Sequence, residues 1–412
     1  MFKQRYVPWS LVCAPTLLLA ISNSSSCFSA PQKQSSAPIA NGFESVNLWN
    51  GGIGGYGTYR IPGIVVTKRG TVIAYTSARR DLSFGDWSDI DIVLRRSTDG
   101  GRTWEPSRRI AGDSKGVTDN PVAIVDSETG VIHFLFQKDY ARCYYMHSED
   151  DGRTFSEPVD ITAVFEQFRT EYDWHVIAPG VGHAIQLRNG RLLVPIWMSI
   201  GKQESPRIRA HRPSAVATIY SDDHGRTWKR GDIIVNSSDQ IPNPSESMAV
   251  QLSDGSVMMN IRNESTRHRR VVSVSPDGAT HWSTPRFDET LFEPVCAASI
   301  IRYSLDRRGG RGSILFSNPD SETIPGVGMF QFRARQNLTL RMSYDEGRTW
   351  PVQRVIDPGV TGYSDLAVGP DKTIYCIYES GAIRGSEGNN PHITVARFNL
   401  AWLMNEAGTD RQ

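Results

Sequence analysis

This chain has few cysteines, no excess of either charge and no second long apolar run. Of its 412 residues only five are cysteine, and Cys13 and Cys27 fall near the amino terminus. Cys143, Cys296 and Cys376 remain, an odd number at wide spacing. That excludes a fully paired disulfide scaffold and fits no metal-binding motif. All three read as small hydrophobes buried in strands. Lys+Arg total 45 against 44 Asp+Glu, for a net charge of +1. The clustered basic excess that nucleic acid or an anionic membrane surface requires is therefore absent, and Arg207 to Arg212 reads as a solvated loop. Helical periodicity is almost missing, with Ile161 to Thr170 the best short candidate. No Pro/Gly/Ser-rich linker interrupts the chain after residue 30, so residues 31–412 read as one domain.

Residues 1–30 stand apart. Lys3 and Arg5 precede a mostly apolar run from Val7 to Ile21, and small residues follow from Ser22 to Ala30. A cationic start, an apolar stretch too short to span a bilayer and small residues near a cut predict a secretory signal peptide. A secreted or periplasmic protein without a membrane span is expected, and a monomer.

What the chain does have is a repeat. Gly70, Gly130, Gly190, Gly255 and Gly312 each open an apolar β-prone run, as in Gly70-Thr-Val-Ile-Ala-Tyr75, and Lys372 takes the glycine position in a sixth copy. The period is about sixty residues. A tight hairpin needs the positive φ that glycine supplies, and the residues after it favour a strand.

A second signal keeps nearly the same period. Ser97-Thr-Asp-Gly-Gly-Arg-Thr-Trp104 recurs as Ser148 to Phe155, Ser221 to Trp228 and Ser343 to Trp350, with a degenerate copy from Ser275 to Trp282. These are Asp boxes. Asp and Ser can satisfy turn amides, Gly takes the left-handed position and the aromatic packs under the hairpin, so their chemistry is structural. Six copies of a four-stranded unit predict an all-β fold, a six-bladed β-propeller of antiparallel four-stranded blades. The sixth copy lacks an Asp box; His392 to Phe398 and a strand near Phe43 to Leu48 are expected to close that blade together.

Tyr59-Arg60-Ile61-Pro62 upstream of the Asp boxes adds an Arg-Ile-Pro signature. Together these features resemble the bacterial-type exo-α-sialidases (neuraminidases), Asp-box propeller glycoside hydrolases, over nearly the whole chain after the leader. The resemblance implies hydrolysis of terminal α-linked sialic acid on oligosaccharides, glycoproteins or glycolipids, with no cofactor and no metal.

It also implies roles. Sialic acid carries a carboxylate on its anomeric carbon, which planar guanidinium donors bind well. Arg60, Arg262 and Arg335 match the family's three arginines, with Arg333 an alternative to Arg335 on the same strand face. Tyr363, in Gly362-Tyr-Ser-Asp365, matches the nucleophile; a neutral phenol avoids the repulsion that a carboxylate nucleophile would meet from the substrate carboxylate. Glu246, in Pro244-Ser-Glu246-Ser, matches its base. Asp86, in Gly85-Asp-Trp-Ser-Asp-Ile-Asp91, matches the acid/base, with Asp89 and Asp91 as neighbours leading into a strand. Arg79 and Asn120 resemble positions that touch the sugar's outer hydroxyls. Two other readings share much of this pattern: a trans-sialidase, and a sialic-acid-binding propeller without catalysis, which would not need Tyr363, Glu246 and Asp86 together.

Overall fold

Long apolar runs become strands covered on both faces. Val72–Arg79, Leu192–Ser199 and Ile374–Ser380 are buried along their whole length, whereas outer strands such as Arg108–Ala111 and Arg286–Phe292 carry exposed charged residues. The computed structural model describes residues 39, 42–81, 85–202, 210–305, 312–324, 334–382 and 390–405. Segment 1–30, with the expected signal peptide, and Arg333 lie outside the described residues.

The sheets are built mainly of antiparallel strands that follow one another in sequence, with a short parallel pairing of Gly182–His183 on Thr118–Val125. The first runs Thr58–Val66, Val72–Arg79, Ile90–Ser97 and Arg108–Ala111. Hairpin glycines Gly70, Gly130, Gly190 and Gly255 all have positive φ, as does Lys372. The hydrogen-bonded ladders form two four-stranded sheets, two of five strands and one of seven, rather than separate four-stranded units. The seven-stranded sheet arises because Val352–Val368 is one strand of 17 residues. Its first half pairs with Gln336–Ser343 and its second half with Ile374–Ser380. Phe43–Asn50 pairs antiparallel with His392–Phe398, so the start and end of the described chain share a sheet.

The core lies between meanders and forms a closed series. Ile73 and Leu94 pack on Phe134 and Met146, and Val122 and Leu135 on Val194 and Ala217. Trp197 and Val216 then meet Met259 and Val271, and Met248 and Val272 meet Ile300 and Phe316. Leu340 and Met342 pack on Cys376 and Phe398, and Ile377 and Val395 return to Ile64 and Ala74. That return to the first sheet is a propeller arrangement, in which radial repetition protects the sheet edges.

Asp boxes fasten the hairpins. Asp99 accepts from the Arg102 and Thr103 amides at 3.0 Å, and Ser97 Oγ accepts from the Gly101 amide at 2.8 Å. Asp150, Asp223 and Asp345 hold Thr154, Thr227 and Thr349 in the same way. Among the described residues α-helix is confined to short pieces, Ala163–Glu166 and Leu400–Met404, the first within the predicted segment. Cys143, Cys296 and Cys376 are free and buried. Among the described residues no helix is long and apolar enough to cross a membrane.

Candidate active site

Three innermost strands carry the same irregularity at the same end. Thr58–Val66 slips register between Arg60 and Gly63, Thr118–Val125 between Asp119 and Val122, and Val352–Val368 between Thr361 and Ser364. Such bulges re-aim side chains out of the pleat. Here they carry Arg60-Ile61, Asn120-Pro121 and Gly362-Tyr363, with Ile61 and Asn120 at φ of 56° and 54°. Left-handed backbone at a β-branched residue such as Ile61 is costly and persists only where its surroundings enforce it.

Tyr363 is the centre of the arrangement. Its hydroxyl donates to Glu246, with Oε1 at 2.6 Å and Oε2 at 2.8 Å, and accepts from Arg262 Nη1 at 2.7 Å. Arg262 also forms an ion pair with Glu246. Tyr363 is 7% and Glu246 8% exposed, so this contact is almost dry. The guanidiniums of Arg60, Arg335 and Arg262 lie 5.1, 5.3 and 5.9 Å from the Tyr363 ring centre. Behind the ring sits a small apolar layer of Ile61, Val181, Cys296 and Ala297. All three arginines read from the sequence thus converge on one tyrosine.

Each arginine has a fixed anchor. Arg60 Nε and Nη2 bond Glu379 at 3.1 and 3.2 Å. The same carboxylate accepts from the Ile61 and Tyr363 amides at 3.0 and 3.2 Å. Gly362 is required here, since a Cβ would fall on Glu379. Burial works against the charge of Arg60, but Glu379 outweighs it and pushes the guanidinium pKa up. Arg335 Nη2 donates to the Val295 carbonyl at 2.6 Å.

Asp86 lies at the side of this group, on the one-turn 3-10 element Gly85–Trp87. Its Oδ1 is 2.8 Å from Arg79 Nη2, and its side chain is 44% exposed. Partial burial raises its pKa, but Arg79, Arg60 and His211 overcome that and hold the carboxyl well below the usual range. Asp119, fully buried, is 3.5 Å from the same Arg79. Burial dominates there and pushes Asp119 up. One guanidinium therefore separates two carboxylates of different character, and Asp86 is the one a substrate can reach. Asn120 is buried, its amide donating to Asp119 at 2.7 Å while Oδ1 has no protein partner. Asp89 accepts from the Gly116 amide at 2.8 Å, and buried Asp91 binds the Tyr56 hydroxyl, also at 2.8 Å, and Arg80 at 3.0 Å. Both serve the rim backbone.

Neither Glu379 nor Asp119 is singled out by the sequence motifs. The signal available for Glu379 was a carboxylate inside the otherwise apolar run of Ile374–Ser380, which must be paired if that strand is buried.

Comparison with known proteins gives the family. A family model described as a BNR repeat-like domain matches residues 64–376. A sialidase of Micromonospora viridifaciens is 34% identical over 428 residues, covering 96% of this chain and 60% of that protein. A sialidase of Bacteroides fragilis (strain YCH46) is 28% identical, covering 82% of this chain and 64% of that protein. The chain thus spans about three fifths of the length of these curated relatives. Among solved structures, a Hadza microbial sialidase superposes with a TM-score of 0.69 at 26% identity, covering 87% of this chain and 69% of that one. The chain belongs to the BNR repeat-like family of propellers, among members that are sialidases.

Proposed function

We propose that this protein is a retaining exo-sialidase that removes terminal α-linked sialic acid from oligosaccharides, glycoproteins or glycolipids. The observation that carries the reading is the convergence of three guanidiniums on a tyrosine whose hydroxyl is bound by a buried glutamate. Fixed planar cations suit a carboxylate held against the reacting carbon. A phenol ionises near a pKa of about 10, so it needs a base within reach, and Glu246 is within hydrogen-bonding distance.

Two displacements follow. Arg60, Arg262 and Arg335 hold the substrate carboxylate and orient the anomeric carbon over Tyr363. Tyr363 Oη bonds to that carbon, its proton passing to Glu246, while the glycosidic C–O bond breaks and Asp86 protonates the departing oxygen. Arg262, bonded to Oη, stabilises the charge that develops there. Asp86, now ionised, then takes a proton from water as the water attacks the same carbon. The bond to Tyr363 breaks, Glu246 returns the proton, and two inversions give net retention. Arg79 and Arg60 favour the ionised form of Asp86 in the free protein; the substrate carboxylate offsets that field and raises its proton affinity, so Asp86 takes up a proton from solvent as substrate binds, before the first displacement. Arg79, Asp119 and Asn120 line the side of the pocket toward the sugar's outer polar groups.

Six blades are the reading that best fits the ladders, with Val352–Val368 serving two blades as one continuous strand. Among the described residues, the six larger core clusters, each packed between successive meanders, support that count. The cationic, apolar and small-residue order of residues 1–30 supports a secretory leader and a secreted or periplasmic protein. Release of fluorophore from a 4-methylumbelliferyl α-sialoside tests the activity. Free sialic acid as the product, unchanged by added lactose, is expected; no release favours a binding propeller, and sialyl-lactose formation favours a transferase.

A further inference from the structure

Asp86 stands on little backbone of its own. The 3-10 turn Gly85–Trp87 belongs to no sheet, and the turn's closing bond, from the Ser88 amide to the Gly85 carbonyl, is long at 3.4 Å. Arg79 holds the Asp86 side chain but not the turn. The packing anchor of the turn is its last residue, Trp87, whose ring lies 5.2 Å from the ring of His211 and 5.0 Å from that of Tyr140. His211 is the hub of this group: its ring centre is also 4.6 Å from Tyr140 and 5.3 Å from Trp197.

These rings come from four places. Tyr140 follows the strand Ile132–Lys138, Trp197 lies in Leu192–Ser199 and Trp87 follows Asp86. His211 is itself fastened by the next residue: Arg212 Nε bonds both Glu264 oxygens at 2.9 and 3.0 Å, and Glu264 is held in turn by Asn243 Nδ2 at 3.1 Å. His211 Nε2 is buried and makes no hydrogen bond, so contact between rings, rather than a polar bond at that atom, accounts for its place.

We infer that His211 is a positioning residue for the proton donor, clamping the Trp87 turn against two neighbouring sheets so that Asp86 stays in reach of the departing oxygen. The inference rests on Asp86 being that donor. Stacked and edge-on aromatic contacts of this kind fix orientation in addition to burying area, and a loosely held acid loses rate in proportion to its misplacement.

Leaving-group dependence tests it. A 4-nitrophenyl sialoside departs with little need of a proton, whereas sialyl-lactose needs one, and kcat/KM reports the step in which the bond breaks. His211→Ala is expected to lower kcat/KM on sialyl-lactose by about tenfold or more while the nitrophenyl substrate is nearly unaffected, which also shows that the variant is folded. His211→Phe, which keeps a ring but no nitrogen, is expected to restore most of the loss. Equal losses on both substrates, no loss on either, or a Phe variant as slow as Ala would each overturn the inference. Asp86→Asn keeps the two readings separable. If it shows the split and His211→Ala does not, the clamp fails; if it slows both substrates alike, the assignment of Asp86 fails first.

Discussion

Tyr363 Oη lies 2.6 Å from Glu246 Oε1 although 117 residues separate the two in the chain. The contact joins two different sheets, through the bulge at Gly362-Tyr363 and the segment leading into Ser247–Gln251. Tyr363→Phe removes the attacking oxygen and leaves the Glu246–Arg262 pair in place. Turnover should fall on the order of a thousandfold or more, with the melting temperature little changed. Glu246→Gln can still accept a hydrogen bond but cannot take the proton, and should slow turnover by about 10²–10⁴-fold. Steady-state rates on a fluorogenic sialoside, with thermal denaturation alongside, check both.

Glu379 bonds Arg60, the Ile61 amide and the Tyr363 amide with one buried carboxylate. Glu379→Ala leaves a cation and two amides without their acceptor, and breaking such a buried pair costs about 3–5 kcal/mol. A large drop in melting temperature is expected. Glu379→Gln keeps the shape and should fold, but it loosens Arg60, so KM should rise more than kcat falls. Saturation kinetics on the Gln variant separate this from a general loss of active protein.

Arg79 is the nearest of the cations that hold Asp86 below its ordinary range. A general acid must be protonated to act, so kcat/KM should fall as pH rises through the depressed pKa of the free protein. Substrate carboxylate on the arginines opposes that depression, so the alkaline limb of kcat should lie at higher pH than that of kcat/KM. Arg79→Gln should move the kcat/KM limb to higher pH. A limb that stays in place or moves down would show that another group sets it.

The Asp boxes make stability depend on acid. Burial pushes Asp99, Asp150, Asp223 and Asp277 up, but hydrogen bonds from threonine and neighbouring backbone prevail and bring each to about 2. Depressed folded-state values stabilise fully above the unfolded value of about 3.9 and lose that effect as pH falls through about 2. Melting temperature should therefore decline steeply between about pH 4 and pH 2. Asp99→Ala should lower it at about pH 6, with the difference from the parent shrinking toward about pH 2. Sialidase turnover near neutrality should be unaffected, because the box is remote from Tyr363.

Much of this was legible because it is local. A hairpin glycine, an Asp box and the Arg60-Ile61-Pro62 signature each leave a mark within a few residues, and the period of the first two fixes the repeat. The long strand Val352–Val368 is different: no repeat feature marks it, yet the chain runs through it extended and joins two meanders. Glu379 and Arg60 meet across 319 residues, and the ring cluster around His211 draws on four separate segments. No short pattern encodes such meetings, which depend on how the propeller closes. Asp119 was hidden for a related reason, since its partner Arg79 lies on a neighbouring strand end.

The covalent role of Tyr363 is the central claim. A 2,3-difluoro sialic acid tests it directly, since fluoride leaves readily while the fluorine at carbon 3 slows release of the glycosyl-enzyme. Intact-mass spectrometry followed by peptide mapping should show one glycosyl adduct per chain, located on Tyr363 and absent from Tyr363→Phe. An adduct on Glu246, Asp86 or any other residue, or full turnover of substrate with Tyr363→Phe, would contradict the account.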